Sequence, residues 1–166
     1  LAAFAPIVIA SLVATIVSRQ IYGEFPAFVI PEYSTSYFEF PAFALLGGAA
    51  ALLAVTFMRL VPLVEQSLAK VPIVPWLRPT IGGFGVGLIA LAYPEVLGVG
   101  YGATDAALKG EMSLLLLLGL LAAKTLATAL TLGSGFGGGV FSPSLFLGAM
   151  LGGAFGIVAG NAIPQL

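Results

Sequence analysis

The chain has 166 residues, 60% of them hydrophobic and 8% charged, and six basic against seven acidic side chains leave a formal charge of −1. A mean hydropathy of +1.12 and a charged fraction far below the ~25% of soluble domains exclude a water-soluble globule and point to a membrane protein or a piece of one. The lack of cysteine and histidine excludes disulfides, thiolate metal sites and thiol nucleophiles and removes the commonest general base; no basic stripe suggests nucleic acid.

A spanning helix needs roughly 20 mostly apolar residues. Residues 1–18 are uncharged and end at Arg19, which predicts a first span. Leu1 already lies inside an apolar run, with no initiator methionine or charged leader before it, so the expectation is an internal fragment without a signal peptide. Residues 23–39 bring Glu24, Glu32, Pro26, Pro31 and several aromatics, the composition of an ordered interfacial loop. Residues 40–58 predict a second span that continues amphipathically to about Lys70. "VPIVPWLRP" (71–79) then breaks the helix, because proline removes a donor and clashes with the preceding turn. Residues 80–93 form a third, glycine-rich span that is short unless 76–79 supplies its first turn. "PEVLGVGYG" (94–102) reads as a turn and 103–110 as a short interfacial helix. Residues 112–132 and 140–163 are the fourth and fifth spans, the last ended by Pro164. The fold class is all-α, a polytopic integral membrane protein of tilted helices of unequal length.

Loop charges set an orientation. The 58–79 connection carries Arg59, Lys70 and Arg78 against Glu65, whereas 23–39 carries only acids. By the positive-inside rule the first is cytoplasmic and the second external. The 133–139 loop then faces the cytoplasmic side or dips inward; it has no charge to hold it in water.

That loop opens "GSGFGGGVFSPSLFLGAMLGGAFG" (133–156). Irregular backbone at membrane depth is tolerated only where protein covers it or it meets a wet cavity. Gly133, Gly135, Gly137, Gly138 and Gly139 allow conformations closed to other residues and leave amides unshielded; Ser134 lies among them. A helix begins near 140–143, with Pro143 suited to its first turn and Ser142 a candidate N-cap. Free amides and the helix dipole make an anion site of Gly139, Val140, Phe141, Ser142 and Pro143. Such dipoles hold an anion weakly enough for it to leave, as conduction requires. The competing reading is that the glycines only let two helices pack closely. The spacing Gly133-x-Gly135-x-x-Gly138 matches a dinucleotide fingerprint, but no strand precedes it and no acid follows about 20 residues on. A P-loop lysine is missing, and an intramembrane serine protease built on Ser134 finds no histidine in this chain.

The segment "GSGFGGGVFSPSLFLGAMLGG" resembles the G-S-G-x-x-G-G-[IV]-F-x-P signature of the CLC chloride channels and chloride/proton exchangers. "LLLLGLLAAKTLATALTLGSG", "PEVLGVGYG", "FAPIVIASLVATIVSR" and "GEFPAFVIPEY" resemble the helices and connections that precede it. The resemblance covers essentially the whole chain as a middle portion of the transmembrane domain, approximately the family's helices I to N, truncated at both ends. It implies selective transport of chloride or similar small anions without covalent chemistry. By it, the backbone amides of Val140 and Phe141 face the central chloride. The protein is then no enzyme and needs no cofactor, chloride being the transported ion. The lipid bilayer surrounds it, with the cell membrane as the expected location. The resemblance further implies a homodimer with one pore per subunit, to whose interface residues 1–18 contribute. Phe136-Gly137 departs from the small residue and proline that many members carry there. The family's pore serine, gating glutamate and pore tyrosine fall outside these segments, and its internal proton-pathway glutamate falls just before Leu1. Passive conduction and proton-coupled exchange both stay open. A rival of another class is a non-transporting scaffold whose glycine faces only assemble helices.

Gly148, Gly152, Gly156 and Gly160 recur every four residues and predict a bare face for close helix packing, as do Gly83 and Gly87. Lys124 lies inside an apolar span, where a cation either raises the potential along an anion route or bonds carbonyls at a helix end. Arg19, Arg59 and Arg78 read as interfacial anchors, and Glu95, Asp105 and Glu111 as a solvated external turn.

Overall fold

A computed structural model of the chain describes residues 4–24, 28 and 39–162. Most of the expected 23–39 loop and the Pro164 stop lie outside the described residues. Helix α1, Phe4–Tyr22, belongs to a unit of its own ending at residue 30. It is apolar along its length, and none of its residues is buried. Arg19 occupies its last turn, where a cation complements the negative helix terminus.

The second unit holds the other helices. Helix α2, Phe40–Ala69, is one continuous element of 30 residues, so the second span does run on to Lys70. At 1.5 Å per residue it is roughly 45 Å long, well beyond a hydrocarbon core of about 30 Å. It must therefore tilt or protrude, and Arg59 and Glu65 sit on its final turns rather than in a loop.

Pro75–Leu77 makes one 3-10 turn that runs straight into helix α3, Arg78–Ala92. The first turn expected at 76–79 therefore exists, but the helix remains short. Pro75 and Pro79 prevent its extension backward, and Pro94 stops it forward. Among the described residues four helices, not five, are long and apolar enough to cross a membrane: Phe4–Tyr22, Phe40–Ala69, Leu114–Gly133 and Phe141–Asn161.

After a 3-10 turn at Pro94–Val96 comes helix α4, Tyr101–Leu108. It buries Ala103, Thr104 and Ala107 and packs against α6, so it is an integral part of the core. Gly100 enters it with φ +80°, a conformation glycine adopts without penalty. A Cβ there would also lie 2.5 Å from the Phe146 ring. The chain thus turns tightly over a phenylalanine that is itself fully buried.

Helix α5, Leu114–Gly133, is the hub, in contact with α2, α3 and α6. Ser113 caps it, its hydroxyl oxygen accepting the Leu116 amide at 3.4 Å. Leu117, Leu120, Ala123 and Ala127 of α5 meet Phe146, Met150 and Ala154 of helix α6, Phe141–Ala162. The α6 glycine face does not pack as expected. Among the described residues, a Cβ at Gly148, Gly152, Gly156 or Gly160 meets nothing within 4 Å. Close approach falls instead on Gly153, 3.3 Å from Leu117, on the side of α6 that faces α5. Gly83 makes only ordinary contact with Phe136, and Gly87 is open.

Candidate anion-binding site

Tight packing and free backbone divide the glycine loop between them. Gly133 is a packing glycine: a Cβ on it would lie 2.7 Å from Cβ of Val64 and 2.8 Å from the Val61 carbonyl, both on α2. Ser134 is buried, and its hydroxyl donates to the Thr131 carbonyl at 3.0 Å. It fills the space that a side chain at Gly82 of α3 would need. Gly135 takes φ +94° and closes α5. Its amide donates to Leu132 and that of Phe136 to Thr131, the double bond pattern of a Schellman cap. These residues therefore end one helix and seat it against its neighbours.

The segment 136–139 is irregular, and α6 starts at Phe141. The Val140 carbonyl accepts the Ser144 amide at 3.0 Å and the Ser144 hydroxyl at 2.7 Å. Val140, not Ser142, thus stands at the N-cap. Ser142 is already in the first turn, and its hydroxyl reaches out to the Val99 carbonyl at 3.4 Å. Pro143 then falls in the third position of the helix, where its missing N–H still forfeits no intrahelical bond. The helix begins two residues earlier than a Ser142 cap implies.

Among the described residues, the amides of residues 137–142 donate to no protein acceptor. The first turn of a helix always leaves such donors, and here they coincide with the positive end of the α6 dipole. Gly138, Gly139 and Pro143 line a cavity of about 240 Å³, with Val86, Val96–Gly98, Lys124, Thr128, Thr131 and Leu132 around it. Val140 faces an apolar groove of about 400 Å³ that it shares with α2, through Leu53, Ala54 and Phe57. The side chain of Phe141 is 83% exposed. The predicted residues are therefore contiguous, but they divide into the helix cap Gly133–Gly135, of which Gly133 and Ser134 are buried and Gly135 is exposed, the cavity rim Gly138, Gly139 and Pro143, and the open helix start Val140–Ser142.

Lys124 takes the carbonyl-bonding alternative. It is buried, and its ammonium donates to the carbonyls of Val96 and Gly98, each at 2.8 Å. It also stands 5.0 Å from the centroid of the Phe146 ring, within cation–π range. These carbonyls belong to the turn before α4, not to an end of its own helix. Thr128 and Thr131 escape the sequence reading. The signal that finds them is the spacing 124, 127, 128, 131, which is one face of a helix. On the outer turn, Asp105 pairs with Lys109 at 2.6 Å. Of the basic anchors, Arg78 keeps its Nε buried without a hydrogen bond.

The family model described as "Voltage gated chloride channel" matches residues 1–166. The chain is 37% identical to the chloride channel protein CLC-f of Arabidopsis thaliana over 97% of its own length and 22% of that protein's. It is 37% identical to CLC-e of the same plant, over 96% of this chain and 24% of that one. It is 31% identical to the H(+)/Cl(−) exchange transporter ClcA of Vibrio campbellii, over 96% of this chain and 35% of the transporter. The chain thus spans between about a fifth and about a third of these relatives. No solved structure gives a significant match.

Proposed function

Because the chain belongs to the voltage-gated chloride channel family, we propose that the full-length protein moves chloride or similar small anions across a membrane. The anion is bound at the start of α6 by the amides of Val140 and Phe141, with Gly139, Ser142 and Pro143 shaping the approach. The observation that carries this reading is the run of unpaired amides at 137–142, at the positive end of a membrane-spanning helix. The first turn carries no acidic side chain, so no carboxylate there repels an anion. No bond is made or broken and no cofactor takes part; the protein exchanges the anion's water for backbone N–H groups and releases it again.

The scaffold alternative needs glycine faces that assemble helices. The face from Gly148 to Gly160 makes no such contact among the described residues, and the packing glycines, Gly133 and Gly153, are others. The protein functions in the cell membrane as a homodimer, with the exposed apolar surface of α1 contributing to the contact between subunits. The relatives include proteins named as channels and as proton-coupled exchangers, and these segments are compatible with both mechanisms.

The test is chloride efflux from liposomes holding the full-length protein, with a pH electrode in the same chamber. Chloride release supports the reading, and a stoichiometric proton movement then selects the exchanger. Gly139→Pro removes one amide at the rim and stiffens the loop, and is expected to lower flux while leaving expression intact. Folded protein that releases no chloride overturns the proposal.

A further inference from the structure

The glycines at 137–139 lead straight into the proposed amide site, and little in their own chemistry holds them in place. Glycine has the largest backbone freedom of any residue. Among the described residues, the amides of this stretch donate to no protein acceptor, and a Cβ at Gly137 or Gly139 would meet nothing within 4 Å. A Cβ at Gly138 would find Leu132 at 3.5 Å. An anion that had to order such a tether on arrival would lose affinity in doing so.

From 135 to 139 only Phe136 carries a side chain, and it stands where the loop departs from the signature it resembles. Its amide donates to the Thr131 carbonyl at 3.2 Å, which ties its backbone to the end of α5. Its ring reaches to α3. The ring carbons Cε2 and Cζ lie 3.8 Å from where a Cβ on Gly83 would stand. Gly82, the preceding residue of α3, receives Ser134. The chain therefore leaves α5 along α3, with residues 134 and 136 seated on adjacent bare positions of that helix. The Phe136 ring is 45% exposed, so it is laid on α3 rather than enclosed as a core residue.

We propose that Phe136 is a positioning residue for the amide site: its ring, resting on α3 at Gly83, anchors the glycine tether and so sets where the amides of Gly139 and Val140 stand before an anion arrives. The four steps from Phe136 to Val140 span at most about 14 Å, so an anchor at 136 confines the helix start directly. The ring acts through the backbone and does not touch the ion. The inference rests on the proposed anion site and assigns what holds that site in shape.

Chloride titration calorimetry on the full-length protein tests it. Phe136→Ala is expected to bind chloride about tenfold more weakly, the order of freeing the backbone of one residue. Phe136→Ala with Gly137→Pro is expected to recover to within about threefold of the wild type, because proline restricts the same backbone with its own ring. Proline fits at 137: that amide has no acceptor, and the position is not left-handed. It restores no contact with α3, so recovery separates holding the loop from packing. Gly83→Leu pushes the ring aside from the α3 side. It is expected to weaken binding as the alanine does, with no further loss when the two are combined. Wild-type affinity in Phe136→Ala overturns the proposal and leaves the amide site standing. A loss that proline does not repair, although Gly137→Pro alone binds normally, also overturns it. Should the alanine variant fail to fold or proline alone weaken binding, Gly83→Leu decides, and normal affinity there, or a loss that adds in full to that of Phe136→Ala, overturns the proposal. A folded wild type that binds no chloride removes the amide site and this inference together.

Discussion

The sharpest perturbation of the amide site is Phe141→Pro. Proline lacks the N–H but keeps the helix, because position 141 is the first residue of α6 and proline is favoured there. The lost aromatic ring is 83% exposed in this chain, so little of its internal packing goes with it. Phe141→Ala is the matched control: it discards the same ring and keeps the amide. If the Phe141 amide contacts the anion, the proline variant loses one hydrogen bond to a charge, about 1.5–3 kcal/mol. That corresponds to roughly 10- to 150-fold weaker chloride binding. The assay is chloride titration calorimetry on the detergent-purified full-length protein, with liposome efflux alongside and far-ultraviolet circular dichroism to verify the helix. The alanine variant is expected to bind within about threefold of the wild type, since 0.65 kcal/mol or less separates them at that ratio. Equal affinities for proline and alanine variants would show that this amide does not hold the anion. The reasoning from the α6 start would then be wrong.

Other expectations follow from the close approaches. Gly82→Ala drives a methyl into Ser134 and to 3.0 Å from the Leu130 carbonyl, and should destabilise the α3–α5 contact by about 1–3 kcal/mol in thermal unfolding; adding Ser134→Gly should recover part of it. Gly100→Ala forces φ +80° on alanine and meets Phe146; its loss, read by the same melt, should be only partly relieved by Phe146→Leu, because the backbone strain stays. Gly152→Ala adds a methyl with no neighbour within 4 Å and should leave the fold of this portion unchanged, so a large effect would reveal a partner on that face. Lys109 has its pKa raised above 10.5 by the hydrogen bond and then the charge of Asp105. Its contribution to stability is complete below 10.5 and lost as pH rises through the raised value, and Asp105→Asn should return the lysine titration, followed by NMR, toward the ordinary value.

The spans were legible because length and hydropathy are nearly sufficient for membrane helices. The 40–70 stretch even announced its continuation past the apolar run. The third span already read as short; the 3-10 turn at Pro75–Leu77 and an α3 start at Arg78 supply the extra first turn, but α3 is still not long enough to count among the spanning helices. Within the glycine loop the sequence marks the candidate site but not the division of labour. Gly133, Gly135 and Gly139 look alike as letters, yet they pack on α2, cap α5 and border the cavity respectively. The distinction depends on where α5 ends, which is a register of one residue. Ser142 failed as a cap because α6 starts two residues earlier than its serine and proline suggest. The glycine stripe of α6 failed because a membrane protein's buried and lipid-facing sides are both apolar. Hydrophobic periodicity therefore does not say which face meets a partner.

The face of α5 that carries Lys124, Ala127, Thr128 and Thr131 escaped notice on similar grounds, since two threonines scarcely interrupt a leucine-rich helix. Under the proposed transport, its arrangement bears on a conflict that an anion pathway faces. A lysine at the α6 start would bring a full charge into contact with the ion and slow its departure. Lys124 is instead tied to the carbonyls of Val96 and Gly98, which spreads its charge over the turn before α4. From there it contributes positive potential to the cavity it lines, while the proposed contacts at the helix start are backbone dipoles. The same two bonds fix the 96–98 turn beside Gly138, Gly139 and Pro143. Electrostatics and loop placement are therefore coupled in one side chain. Lys124→Met would therefore disturb the potential and the placement of the 96–98 turn together, so a loss of flux in that variant has to be read beside a thermal melt.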